Sequence, residues 1–227
     1  MSIRIYRKVM ALGLIVVLFI LSSCSTKAST RIDQEFDEQN RLVKEITIVQ
    51  GEVVDTTIYQ YGTDGNCSRE DHFDKDNVLT YYITFEYNSK GQVIKRTQYQ
   101  DNKMFTETTM QYDDKDLLSR SDTITYQGGK TYWLYFYDTN NKMTECKQYS
   151  VDSDGDNLRF WDKFDQAGNK VSSSYYVSSG ALNYTKVWEY DDEGRMKTLT
   201  EYDGEGNIKY VTEYGKNGNV TSTKKYG

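Results

Sequence analysis

Aromatic and apolar residues return along this chain at a steady beat. An aromatic residue stands at Phe36, Tyr61, Tyr87, Tyr112, Tyr137, Phe164, Tyr190 and Tyr214, at intervals of 24 to 27 residues. Eight copies at one period mark a repeat array. With the opening aromatic as position zero, position six is apolar at Leu42, Cys67, Val93, Leu118, Met143, Met196 and Val220; the copy opening at Phe164 has Lys170 there and Val171 next. Position twelve is aromatic or aliphatic at Ile48, Phe73, Tyr99, Ile124, Tyr149, Tyr176, Tyr202 and Tyr226. The residue two before the next opener is apolar too, at Tyr59, Phe85, Met110, Tyr135 and Trp188. Positions zero, six and twelve are even, and the last set stands an even two residues before the next opener, so a side-chain period of two predicts that they share one face of a sheet.

Turn chemistry separates the apolar positions. Position one is Asp at Asp37, Asp113, Asp138, Asp165 and Asp191, and position four is Gly at Gly65, Gly91, Gly168, Gly194 and Gly218. An Asp carboxylate accepts from backbone amides just ahead of it, and Gly reaches positive φ without a Cβ clash, so this spacing predicts a strand end followed by a tight turn. A second set of turn residues follows position twelve, as in Gln127-Gly128-Gly129 and Asp203-Gly204. Each period therefore predicts two strands and two turns. The fold class is all-β: an elongated antiparallel meander of about eight hairpin repeats, with about sixteen short strands, over residues 35 to 227. Position eight is polar at Lys44, Arg69, Lys95, Arg120 and Glu145. A sandwich would bury such positions, so a single-layer or shell-like, spiral sheet wetted on both sides is expected. The chain has no Pro, and Lys224 and Lys225 fall in the last strand, where they would discourage edge pairing.

The first 23 residues break the beat. Arg4, Arg7 and Lys8 precede an apolar run from Val9 to Leu21, too short to span a membrane and suited to a signal peptide at 1 to 23. The run ends in Leu21-Ser22-Ser23-Cys24, which resembles the lipobox of bacterial lipoproteins. That resemblance implies a diacylglycerol on the Cys24 thiol, cleavage before it, and acylation of the new amino terminus by a fatty acid such as palmitate. Residues 24 to 34 would then be an acylated start and flexible tether. Loss of three basic residues takes the formal charge from −6 to −9. Several acyl chains on one Cys suffice for stable anchoring, and an acidic body has no affinity of its own for nucleic acid or anionic lipid.

Candidate chemistry is sparse. Cys67 sits at an apolar repeat position and reads as a small core hydrophobe. In an open meander, six strand spacings of about 4.8 Å put Cys67 and Cys146 roughly 29 Å apart, so two free thiols are expected unless the sheet coils back on itself. His72 is the sole histidine, in a polar strand with no partner at ligand spacing. Asp152-Ser153-Asp154-Gly155-Asp156-Asn157 alternates carboxylates as calcium loops do, but Lys163 stands where an EF-hand needs Glu, and a widened hairpin turn accounts for the run. No nucleophile motif, metal cluster or phosphate loop is visible. The expectation is therefore no catalytic residue, no metal, no cofactor, and a role other than an enzyme's.

Aromatic residues are the main candidates. Most of the 21 Tyr fall at repeat positions, where cross-strand pairs contribute about 0.2 to 1 kcal/mol each. Tyr132-Trp133-Leu134-Tyr135-Phe136-Tyr137 is apolar at both parities, and Phe160 and Trp161 repeat this in the next copy. An aromatic patch on both faces of one layer must be covered or meet a partner. Tyr132, Leu134, Phe136 and Trp161 form the candidate recognition patch, with a covered central strand as the other reading.

The phrases Tyr112-Asp113, Tyr137-Asp138 and Tyr190-Asp191-Asp192-Glu193-Gly194-Arg195-Met196 resemble the YD repeats of bacterial RHS-type proteins, which run roughly Tyr-Asp-x-x-Gly-Arg-Leu. The likeness covers nearly all of residues 36 to 226, with Gly194-Arg195-Met196 the best-kept ending. It implies antiparallel strands spiralling into a shell, often carbohydrate-associated or enclosing a toxin. Eight short copies are too few for a large enclosing shell. A looser similarity is to MORN-like hairpin repeats of small bacterial lipoproteins and antitoxins. Together these resemblances imply a lipid-anchored cell-envelope protein, on the outer membrane if the source is Gram-negative. It would meet the membrane through its N-terminal lipid and bind a glycan or protein partner across a sheet face. The alternative is an immunity or structural envelope protein that binds one specific protein.

Overall fold

The computed structural model describes Leu14–Ile15 and residues 29 to 227. Cys24, and the leader 1 to 23 apart from that dipeptide, lie outside the described residues. The chain is all-β and divides into two units, at residues 1–105 and 106–227. β1 (Leu14–Ile15) forms two residue pairs with β2 (Thr30–Phe36). The rest of the first unit is β3 (Leu42–Val49), β4 (Glu52–Tyr61), β5 (Cys67–Asp74), β6 (Leu79–Tyr87) and β7 (Val93–Gln100). From β2 to β7 each strand pairs antiparallel with the next.

The second unit takes most of β8 (Lys103–Tyr112). It continues through β9 (Leu118–Thr125), β10 (Lys130–Tyr137), β11 (Met143–Asp152), β12 (Gly155–Phe164), β13 (Lys170–Tyr176), β14 (Leu182–Tyr190), β15 (Met196–Asp203), β16 (Ile208–Tyr214) and β17 (Val220–Lys225). From β8 onward it is again a meander of sequence neighbours. Sixteen strands therefore run from Thr30 to Lys225, as the hairpin-repeat reading predicts. β2 begins at Thr30, inside the stretch read as tether, because Arg31 and Ile32 find Ile48 and Thr47 on β3.

The turns form for the reason the spacing gives. The Asp191 amide donates to the Arg195 carbonyl, and the Gly194 amide donates back to the Asp191 carbonyl, both at 2.9 Å. The Asp191 Oδ1 meanwhile accepts from Glu193 N at 3.0 Å and Arg195 N at 2.9 Å. Asp37, Asp113, Asp138 and Asp165 repeat this, as does Asn88 with its amide oxygen. Position four takes positive φ whether it is Gly194 (75°) or Asn40 (62°); Gly and Asn are the residues that tolerate it.

These turns also overturn one expectation. In each copy within a unit the register shifts by one residue where the opening aromatic meets position six, as between Glu86 and Tyr87 opposite Val93. That is a β-bulge, and one extra residue reverses the parity of everything beyond it. Tyr99 at position twelve lies opposite Tyr82, while Phe85, three residues along β6 from Tyr82, pairs with Arg96. Phe85 and Tyr99 therefore point to opposite sides. So do Tyr135 and Tyr149, since Tyr149 pairs with Tyr132 and Tyr135 with Cys146. The repeat's apolar residues are shared between two faces.

Each unit is accordingly thin. Among the described residues, strands within a unit touch only their neighbours in sequence, and no side chain is fully buried. Ile83, Tyr132 and Cys146 are the buried apolar residues, beside buried Thr57, Asp71, Thr97, Ser121 and Asp162. Small hydroxyl side chains fill the middle of the layer and bond across strands, as Thr108 does with Thr123 and Ser174 with Thr185, each at 2.9 Å. β17, with Lys224 and Lys225, is exposed along its whole length.

Candidate binding face

Register alone assembles the predicted patch on one face of the second unit. Leu134 lies opposite Lys147, which lies opposite Trp161; one step along, Phe136 lies opposite Glu145 and Glu145 opposite Lys163. Tyr132, two residues before Leu134, pairs with Tyr149 on the same side. All four predicted residues thus share a face, but they are not equivalent.

Tyr132 is a structural member. It is 7% exposed, and its ring lies between the Arg120 guanidinium at 4.1 Å and the Tyr149 ring at 4.9 Å. Its hydroxyl donates to Asp156 Oδ2 at 2.8 Å. Burial first, and then that hydrogen bond, push the phenol up to about 12. Arg120 is held by Asp122 through contacts of 2.6 and 2.7 Å. A shallow hollow of about 360 Å³ opens beside these groups, but its main polar groups are already spent on one another.

Phe136 and Trp161 are available. Phe136 is 41% exposed, with the Lys147 ammonium 5.0 Å from its ring centre. Trp161 is half-buried, and its indole N–H donates to Glu145 Oε2 at 2.9 Å, which fixes the ring. Lys147 and Lys163 place ammonium groups 4.6 and 4.2 Å from the Trp161 ring centre. Lys147 also pairs with Glu145 at 3.2 Å. Burial would raise the Glu145 carboxyl, but the hydrogen bonds from Lys147 and Trp161 outweigh it and hold the group below its ordinary value. The Lys163 side chain is exposed and stands opposite Glu145, adding its charge to those that lower that carboxyl. On β13, Ser174 stands opposite Trp161 and Ser172 opposite Lys163. Short hydroxyl side chains thus stand next to the ring, Ser174 sharing a 2.9 Å hydrogen bond with Thr185.

Sequence reasoning named Phe136 and Trp161 and missed Lys147, Lys163, Ser172 and Ser174. The usable signal was cations at alternate positions next to aromatic strands. Lys163 follows Trp161 by two on one strand and shares its face by period alone; pairing Lys147 with Trp161 needs the register, which a bulge between Gln148 and Tyr149 displaces.

The opposite face of the same strands is differently made. Cys146 lies between Tyr135 and Asp162. Burial, with the Asp162 charge behind it, pushes its thiol up to about 11, away from nucleophilic reactivity. Asp162 accepts from Lys170, and its second oxygen is buried without a hydrogen bond. Cys67 and Cys146 are both free thiols, as expected. His72 stacks on Tyr81 at 4.2 Å, meets the Thr57 hydroxyl at 3.1 Å through Nδ1, and lies 3.6 Å from Glu70. In the acidic run, Asp152 accepts from the Asp154 amide and from Asn157, while Asp156 accepts from Tyr132. Those carboxylates serve a hairpin turn. Among the described residues no group of three or more His, Cys, Asp and Glu could hold a metal ion.

No protein-family model matches the chain, and no curated protein matches it. Among solved structures, the chain is similar to a porin-like protein from Bacteroides uniformis, with a TM-score of 0.43 at 11% identity over 89% of this chain and 90% of that one.

Proposed function

We propose that this protein is a lipid-anchored interaction module of the bacterial cell envelope, held to the membrane through acylated Cys24 and binding a glycan or protein partner across a sheet face of residues 106–227. Binding rather than turnover is its task. The observation that carries this reading is the placement of Phe136, 41% exposed, and the half-buried Trp161 on one face of residues 106–227. An exposed aromatic group rimmed by charge is the usual composition of a recognition surface. The anchor rests on the sequence Leu21-Ser22-Ser23-Cys24 behind an apolar run.

The test is a pull-down from native envelopes with the full acylated chain, set against Cys24→Ser and against a Phe136→Ala, Trp161→Ala double variant. The acylated chain enters the detergent phase and captures a glycan or one protein at fixed stoichiometry. Cys24→Ser stays in the aqueous phase, and the double variant keeps its far-ultraviolet circular dichroism while losing the capture. Undiminished capture by the double variant would place the partner elsewhere, and an unacylated wild-type chain would remove the envelope address.

A further inference from the structure

We infer that the ledge beside Trp161 is a subsite for an acidic sugar, one that carries a carboxylate, with Lys147 and Lys163 as the groups that read the charge. The inference deepens the binding role proposed above and rests on it. Three features of one face converge. First, the indole of Trp161 is held upright by its hydrogen bond to Glu145, so an apolar sugar face would meet a ring already fixed in place and lose little entropy in doing so. Second, Ser174 and Ser172, opposite Trp161 and Lys163 on β13, are short side chains beside the ring, and although Ser174 is shared with Thr185 at 2.9 Å, a hydroxyl can both donate and accept.

Third, the charge beside the ring is unbalanced. Lys147 and Lys163 set two ammonium groups against the single carboxylate of Glu145, which pairs with Lys147 at 3.2 Å and lies opposite Lys163 in the register. That surplus lies 4.2 Å from the indole ring centre, in a chain of formal charge −6. A neutral sugar would leave the two ammonium groups facing one carboxylate, and a carboxylate at the ring's edge balances the second.

The test uses the full acylated chain in detergent micelles, with oligogalacturonate as the probe and its fully methyl-esterified form as the control, the two differing in charge but not in ring shape. Titration calorimetry at low salt should show the acid binding at least about tenfold more tightly than the ester. That margin should shrink at molar salt, where screening acts within about 3 Å. Lys163→Met keeps the side-chain stem and removes the charge, so it should bring the acid down to the ester's affinity at unchanged melting temperature. Trp161→Ala should weaken both probes. Equal affinity for acid and ester, an unchanged titration with Lys163→Met, or no binding of either probe overturns the subsite. Envelope capture that persists in those cases leaves the wider interaction role standing without it.

Discussion

The phenol of Tyr61 donates a hydrogen bond of 2.7 Å to the backbone carbonyl of Leu42, tying the opening aromatic of one repeat to position six of the repeat before it. Tyr87 does the same to Cys67 at 2.7 Å, Tyr137 to Leu118 at 2.9 Å and Tyr190 to Lys170 at 2.8 Å. The carbonyls at position six sit beside a bulge, where the ladder is disrupted, and the phenol of the next repeat supplies a partner. This explains why Tyr rather than Phe dominates that position.

Tyr190→Phe should therefore destabilise the second unit by about 0.5 to 1.5 kcal/mol, read as a lower urea midpoint at unchanged slope. Tyr210→Phe, at a ring 38% exposed with no such bond, should leave the midpoint where it is. Phe164 stands at the same repeat position without a hydroxyl. Phe164→Tyr adds the donor its neighbours have and should raise the midpoint. Equal midpoints for Tyr190→Phe and Tyr210→Phe would show that the tie contributes nothing.

The same phenols set an alkaline limit. Burial raises Tyr61, Tyr87, Tyr137 and Tyr190 above the ordinary 10 and takes Tyr59 up to about 12. A phenol whose pKa is raised by folding contributes stability that is whole below its unfolded value and is lost as pH rises through the folded one. Unfolding free energy should hold steady up to pH 10 and fall between about 10 and 12. Ultraviolet titration of tyrosinate should show these rings ionising together with unfolding. A flat stability profile across that window would contradict the tie.

At acid pH the turns respond with the opposite sign. Asp37 and Asp191 lie below the ordinary 3.8 chiefly through the backbone amides of Arg41 and Arg195. Asp203 does so through the amide of Asn207, and Asp64 and Asp165 through the side-chain amides of Asn66 and Asn169. Lowered carboxylates contribute stability that is whole above the unfolded value and disappears as pH falls through the folded one. The urea midpoint should be level above pH 4 and decline below it. Asp191→Asn keeps an acceptor, as Asn88 does in its own turn, and should blunt that decline. Asp191→Ala should lower the midpoint at every pH.

Those turns were legible because their chemistry is local. Asp191, Gly194 and Arg195 meet within one loop, and their spacing alone implies the bonds they make. The strands that the turns delimit followed directly. What the spacing could not show is the bulge at each opening aromatic, since it depends on how Tyr87 meets Val93 across the loop. Missing it assigned Phe85 and Tyr99 to one face. The candidate face was half legible for the same reason. Tyr132, Phe136 and Trp161 stand out as residue types, and Lys163 follows Trp161 by two on the same strand, whereas Lys147 becomes a neighbour of that indole only through the pairing of β11 with β12. Tyr132 looked like a platform because the Arg120 and Tyr149 that sandwich it are remote in sequence.

One glycine allows a direct check on how closely successive repeats approach. Gly204 begins the turn after β15, and a Cβ built on it would lie 2.2 Å from the Leu182 carbonyl oxygen and 3.1 Å from its carbon, at the start of β14. Both obstacles are backbone, so neither can rotate aside, and Gly204→Ala must push the turn away from β14. The cost should be about 1 to 3 kcal/mol, as for other forced overpacking. Gly206, two residues on, has open space around it but a φ of +88°; Gly206→Ala should cost about 1 to 2 kcal/mol through backbone conformation alone. Amide exchange separates the two mechanisms. Gly204→Ala should speed exchange at the β14 end of the β14–β15 pairing, where Tyr184 meets Asp203, whereas Gly206→Ala should speed it only within the loop. If Gly204→Ala is as stable as the native chain, the two strands are not packed as closely there as this contact requires.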